Sequence, residues 1–159
     1  MPTFKIKIRE ATHKDRFAVQ KLNQETLPVV YEVDQWIHLI GQKGKHTQKD
    51  SIVTYVMTKS NEIIGFCACD GTGCVVTFAI AEKERNNKYG TQLLTYAMDE
   101  MVKRGHDEIT LRVKVSNASA IHVYEKLGFK QVELLEKYYK AGYDGDVDED
   151  AYRMVWKKA

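Results

Sequence analysis

Along this chain the spacing of apolar positions switches between two and three-to-four, and each switch marks a new element. Phe4, Ile6 and Ile8 alternate with Lys5, Lys7 and Arg9, the pattern of a half-buried strand. Thr12 with Asp15 three residues later reads as a capping box, and Ala18, Val19 and Leu22 follow at helical spacing. Pro28 interrupts that helix. Tyr31 to Ile40, with Trp36, Ile37 and Ile40 on one side, predicts a short second helix closed by Gly41, and 41–50 reads as loop.

Three β-rich runs come next, Ser51 to Thr58, Ile63 to Cys69 and Cys74 to Ile80. The turn sequences Lys59-Ser60-Asn61-Glu62 and Asp70-Gly71-Thr72-Gly73 separate them, which predicts a meander of antiparallel strands. Leu93, Leu94, Ala97, Met98 and Met101 then recur at three and four residues, a core-packed helix stopped by Gly105. Ile109, Leu111, Val113 and Val115 return to alternation, and Ser116 or Asn117 caps a further helix that ends at Gly128. Lys130 to Tyr139 and Ala151 to Trp156 predict a closing pair of strands around an acidic loop.

Composition narrows the picture. A length of 159 residues suits one domain, 1–159, and 43% hydrophobic residues suffice for one sizeable core. A formal charge of +2 gives no case for non-specific nucleic-acid binding, so no direct nucleic-acid partner is expected. Charge sits in patches: Lys43, Lys45, His46 and Lys49 are basic, whereas Asp144, Asp146, Asp148, Glu149 and Asp150 are acidic. Cys67, Cys69 and Cys74 lack the spacing of a zinc site or redox pair, so they read as small strand residues and no metal is expected. No apolar stretch is long enough for a signal peptide or a membrane span, which points to a cytoplasmic protein with no membrane partner.

The candidate chemistry begins at Arg85-Asn86-Asn87-Lys88-Tyr89-Gly90-Thr91, an amide-rich turn between the apolar run ending at Ile80 and an amphipathic helix. The first N–H groups of a helix have no internal partner and the helix dipole is positive there, so such a turn is a cradle for phosphate. A second segment runs from Leu111 through Asn117 and Tyr124 to Gly128-Phe129: a strand, an Asn-led helix, and a Gly stop followed by an aromatic. Asn117 and Tyr124 are seven residues apart, two helical turns, and share nearly one face.

The order and spacing of the two segments resemble the GNAT acetyltransferase superfamily. Leu22-Asn23-Gln24, Leu27-Pro28-Val29-Val30-Tyr31, Tyr138-Tyr139 and Asp150-Ala151-Tyr152 extend the resemblance to the catalytic subunit of N-terminal protein acetyltransferases, archaeal type, over nearly the whole chain. The resemblance implies an α/β fold with a central mixed, mostly antiparallel twisted sheet of about seven strands flanked by about four helices. It implies acetyl-CoA as cosubstrate, with the pyrophosphate on Arg85, Asn86, Asn87, Lys88, Tyr89, Gly90 and Thr91. Lys88 stands where the first of the family's two usual glycines is found. Phe78, Ala79 and Ile80 would end a fourth strand that splays from the fifth and pairs with the pantetheine, and Asn117 would contact the CoA arm. Tyr124 would lie against the sulfur and protonate the leaving thiolate, while His122 lies off that face and reads as surface.

For the acceptor, the resemblance implies that Leu27, Pro28, Val29 and Tyr31 on one loop and Tyr138 and Tyr139 on another close over a polypeptide N-terminus. Aligned on the motifs, Val29, Cys74 and Arg112 stand where such enzymes often carry a Glu, a Tyr and a His that deprotonate the amine. Glu32 and Tyr31 are the nearest replacements as base, and an α-amine, with a pKa near 8, needs less help than a lysine. The apolar Val29 suggests peptides that begin with Met and an apolar second residue, and an auxiliary ribosome-associated subunit is a possible partner. Two alternatives stand beside this reading: the same chemistry on a small amine or a lysine side chain, or a non-catalytic acetyl-CoA-binding interaction module.

Overall fold

The computed structural model describes residues 5–26, 52–141 and 147–159. Seven strands, β1 (Ile6–Glu10), β2 (Ile52–Lys59), β3 (Glu62–Asp70), β4 (Cys74–Ile80), β5 (Glu108–Lys114), β6 (Lys130–Tyr139) and β7 (Glu149–Lys157), form one sheet in the order β1-β2-β3-β4-β5-β7-β6. Every neighbouring pair is antiparallel except β4 with β5. Among the described residues there are three α-helices, α1 (Arg16–Thr26), α2 (Tyr89–Lys103) and α3 (Ala118–Lys126). The helix expected over Tyr31 to Ile40 lies outside the described residues.

Alternation along the strands divides the core in two. Ile64, Cys67, Cys69, Ile109, Leu111 and Val113 pack with Leu93, Leu94, Ala97 and Met101 of α2 and Tyr124 of α3. Val56, Phe66, Ala68 and Ala79 face the other way, against Val19 and Leu22 of α1. Ala18, expected on the buried stripe, is exposed; the buried set of α1 is Val19, Leu22 and Asn23, whose three- and four-residue spacing defines the inward face. Before α1 the Asp15 carboxylate accepts from the Thr12 N–H at 2.8 Å and from both Arg9 Nη atoms at 2.7 and 3.0 Å, which holds its carboxyl below the usual range.

The first predicted turn is tighter than the sequence suggests. Lys59 and Glu62 pair with each other as strand residues, leaving only Ser60 and Asn61, both at positive φ, in the loop. Two positive-φ residues match the right-handed twist of a hairpin, which is why the ladder continues to its tip. β5 stops at Lys114 rather than Val115, and β7 begins at Glu149, before Ala151.

Candidate active site

The site begins where two strands separate. β4 and β5 pair only through Cys74 with Thr110 and Val75 with Leu111, so residues 76–80 of β4 have no β5 partner. The register on the other side of β4 also slips there: Cys69 faces Val75 and Ala68 faces Thr77, leaving Val76 as an extra residue. A bulge at this point bends β4 and re-aims the residues beyond it.

Beside the parted strands lies a cavity of about 630 Å³. Phe78, Ala79 and Ile80 line it from β4, Arg85, Asn86 and Lys88 to Thr91 from the turn and α2, and Asn117 and Tyr124 from α3. The turn is built to present N–H groups. Asn86 and Lys88 both have left-handed backbones, with φ of 67° and 63°. Left-handed residues in a turn can direct backbone N–H groups to one side as an anion nest does, and the first N–H groups of α2, which have no intrahelical partner, continue that row. Asn87 does not line the cavity; its side-chain amide donates to the carbonyls of Glu84 at 3.1 Å and Arg85 at 3.3 Å and so holds the turn in shape. Arg85 Nε ties the turn to the strand by donating to the Ile80 carbonyl at 3.4 Å.

The left-handed backbone explains why a glycine would suit position 88, and yields a prediction. A left-handed non-glycine residue is strained by about 1–2 kcal/mol, partly offset by the greater unfolded-state entropy of glycine. Lys88→Gly is expected to stabilise the fold by about 0.5–1 kcal/mol in urea unfolding; a lower midpoint would show that the lysine side chain makes contacts worth more than the strain.

Gly90 has a different reason. Its φ is ordinary, but a Cβ there would meet Phe78 Cζ at 3.3 Å and Ile80 Cγ1 at 3.7 Å. The helix start can thus lie directly on the cavity floor.

Tyr124 is held from both ends of its helix. Asn117 caps α3 by accepting from the Ala120 N–H at 3.2 Å. At the far end Gly128, with φ of 100°, lets its own N–H reach the Glu125 carbonyl at 3.0 Å and the Phe129 N–H reach the Tyr124 carbonyl at 3.0 Å. That turn drops Phe129 against the Tyr124 ring, centroids 6.0 Å apart, with Phe78 at 6.5 Å on another side. The ring is only 8% exposed, and its hydroxyl has no hydrogen-bond partner among the described residues. Burial pushes the phenol well above its usual pKa, with Cys67 and Tyr139 adding to the rise, so the group stays protonated.

On the opposite side of the parted strands stand Tyr138 and Tyr139, edge to face at 5.1 Å. The Tyr139 hydroxyl donates to the Arg112 carbonyl at 3.5 Å, and the Arg112 guanidinium lies 5.6 Å from the centre of the Tyr138 ring. Neither Cys74 nor Arg112 supplies a base: burial raises the Cys74 thiol pKa, and the guanidinium stays charged. Leu27, Pro28, Val29, Tyr31 and Glu32 lie outside the described residues.

Residues 16–129 match the acetyltransferase (GNAT) family. The chain belongs to this family. An N-alpha-acetyltransferase of Saccharolobus solfataricus is 32% identical over 93% of this chain and 90% of its own length. The [ribosomal protein bS18]-alanine N-acetyltransferase of Escherichia coli is 27% identical over 86% of this chain and 95% of its own. The crystal structure of the ribosomal-protein-S18-alanine N-acetyltransferase from Escherichia coli superposes with a TM-score of 0.83 at 22% identity, covering 98% of this chain and 95% of that one. Arabidopsis thaliana NAA60 in complex with acetyl-CoA superposes at 0.82 and 18% identity, over 96% of this chain and 98% of that one.

This acetyltransferase also lines its cavity with residues that the sequence reading missed, among them Thr26, Ala120, His122 and Val123. Ala120 precedes Tyr124 by four residues and Val123 by three, so helical spacing through Ala120 signalled both. His122, read as surface, is exposed and still forms part of the rim, because the cavity wraps past the edge of α3. Thr26 had no local signal, since only the packing of α1 brings it there. The acidic run is not an open patch in its described part: Asp148 accepts from the Ala141 N–H at 2.8 Å, Asp150 from the Lys137 N–H at 2.8 Å, and Glu149 from the Ser116 hydroxyl at 2.6 Å.

Proposed function

We propose that this GNAT acetyltransferase moves acetyl from acetyl-CoA to the α-amine of a polypeptide N-terminus, acting in the cytoplasm as the single domain 1–159. The observation that carries the reading is Tyr124, whose hydroxyl has no hydrogen-bond partner among the described residues, in a cavity lined by the part of β4 released from its β5 ladder. The N–H-presenting turn from Arg85 to Thr91 suits a pyrophosphate, and the open edge of β4 from Phe78 to Ile80 suits an amide-bearing arm. These features fit acetyl-CoA, which supplies the activated acetyl group.

The amine reaches the reaction centre through the gap between β4 and β5, from the side of Tyr138 and Tyr139. Its nitrogen forms the new bond to the acetyl carbon, the carbon–sulfur bond breaks, and the Tyr124 phenol returns a proton to the thiolate. The proton lost by the amine passes to solvent; with a pKa near 8 an α-amine is mostly protonated at physiological pH but keeps a reactive neutral fraction of roughly a fifth to a third, far more than a lysine side chain. The polypeptide acceptor is supported by the description of the Saccharolobus relative. Because neither Cys74 nor Arg112 suits the role of base, the non-catalytic alternative is tested in the same experiment.

One assay decides: peptides varied at the first two residues are offered with acetyl-CoA, beside lysine side chains and small amines, and free thiol is measured. The expected outcome is thiol release with α-amine peptides. Faster reaction of lysine side chains or polyamines would overturn the acceptor, and tight acetyl-CoA binding with no release on any amine would make the protein a binding module.

A further inference from the structure

Arg112 occupies a place in the sheet that acetyl transfer leaves unused. The last β4–β5 pair is Val75 with Leu111, so Arg112 is the first β5 residue past the point where the strands part. Leu111 and Val113 on either side point into the core with Tyr124. By alternation the Arg112 side chain lies on the other face, where it is exposed. There Nη1 is 3.7 Å from Cys74 Sγ, and the guanidinium lies against the Tyr138 ring.

The charge along its row of the sheet is unbalanced. Arg153 of β7 stands directly opposite Arg112, and Glu133 of β6 directly opposite Arg153. Directly opposed residues share a face, and like charges so placed repel. The single carboxylate of this row is taken by Arg153, whose Nε donates to Glu133 Oε2 at 3.1 Å. Arg112 has no carboxylate partner among the described residues. The Cys74 thiol does not neutralise it, since burial keeps that thiol protonated. A guanidinium fork suits a planar carboxylate bidentately, and an aromatic wall beside it fixes the approach.

We propose that Arg112 receives an acidic side chain carried by one of the first two residues of the acceptor, so that carboxylate-bearing N-termini are the preferred substrates. This rests on the α-amine reading above. An extended chain advances about 3.3–3.6 Å per residue, so a side chain at either of the first two positions stays beside an amine inserted in the gap. It puts a carboxylate where the sequence alone suggested an apolar second residue.

The test compares peptides identical except for Glu or Gln at the first or second position. The better-placed Glu is expected to raise kcat/KM about tenfold over its Gln counterpart at low salt, with the advantage shrinking at high salt. Arg112→Gln is expected to bring the Glu peptide down to the rate of the Gln peptide. Equal rates for Glu and Gln at both positions in the unmodified enzyme would overturn the proposal without any variant, as would a Glu advantage that persists in folded Arg112→Gln. Acetylation of both peptides alike removes the Arg112 assignment and leaves the α-amine reading intact. If neither peptide reacts while another amine does, the α-amine reading fails and takes this proposal with it.

Discussion

Tyr124→Phe is expected to lower kcat about 100-fold while leaving the affinity for acetyl-CoA and the thermal midpoint nearly unchanged. The magnitude is the lower end of what a positioned general acid contributes. Stability should hold because the substitution keeps the ring between Phe78 and Phe129 and removes a hydroxyl with no hydrogen-bond partner among the described residues. The pH dependence adds a second readout. Burial raises the phenol's pKa, so Tyr124 remains a donor as pH climbs, and kcat/KM should rise through the α-amine pKa near 8 and then level off. Equal turnover in the two forms, or a decline beginning at the pKa of an ordinary tyrosine, would return Tyr124 to a packing role.

Gly90→Val is expected to weaken acetyl-CoA binding about 10- to 100-fold in calorimetry. A Cβ at this position already meets the Phe78 ring at 3.3 Å, and the valine methyls extend further toward the cavity floor. Phe78 lines the cavity and has the Tyr124 ring centre 6.5 Å away, so displacing it disturbs the binding space. Overpacking of this kind costs about 1–3 kcal/mol, which appears as lost affinity where the displaced group lines the binding space. Gly90→Ala, with only the Cβ contact to relieve, should be affected much less. An intact fold with unchanged affinity in the valine variant would show that the cradle does not hold the cosubstrate.

The sequence by itself determined the elements and their chemistry-bearing ends. Alternation at Ile109, Leu111 and Val113, helical spacing from Leu93 to Met101, the Asn117 cap and the Gly128 stop are local signals, each written within a few residues, and each appears in the structure. The two motif segments and their separation were enough to indicate the GNAT family, because a nest followed by a helix start is also a local object. What only the tertiary structure decided depends on register between distant strands. The family resemblance implied that β4 splays from β5, but nothing near Val76 announces that it does so after two pairs, since the bulge arises from the opposing choice of partners in β3. Tyr124 lines the cavity beside the stretch of β4 left unpaired, and no hydrogen-bond partner for its hydroxyl lies among the described residues. Likewise Arg112 and Arg153 are 41 positions apart in the chain, and only the insertion of β7 between β5 and β6 brings their charges face to face. Local spacing specifies which face a side chain takes; the sheet's pairing order specifies what it meets there.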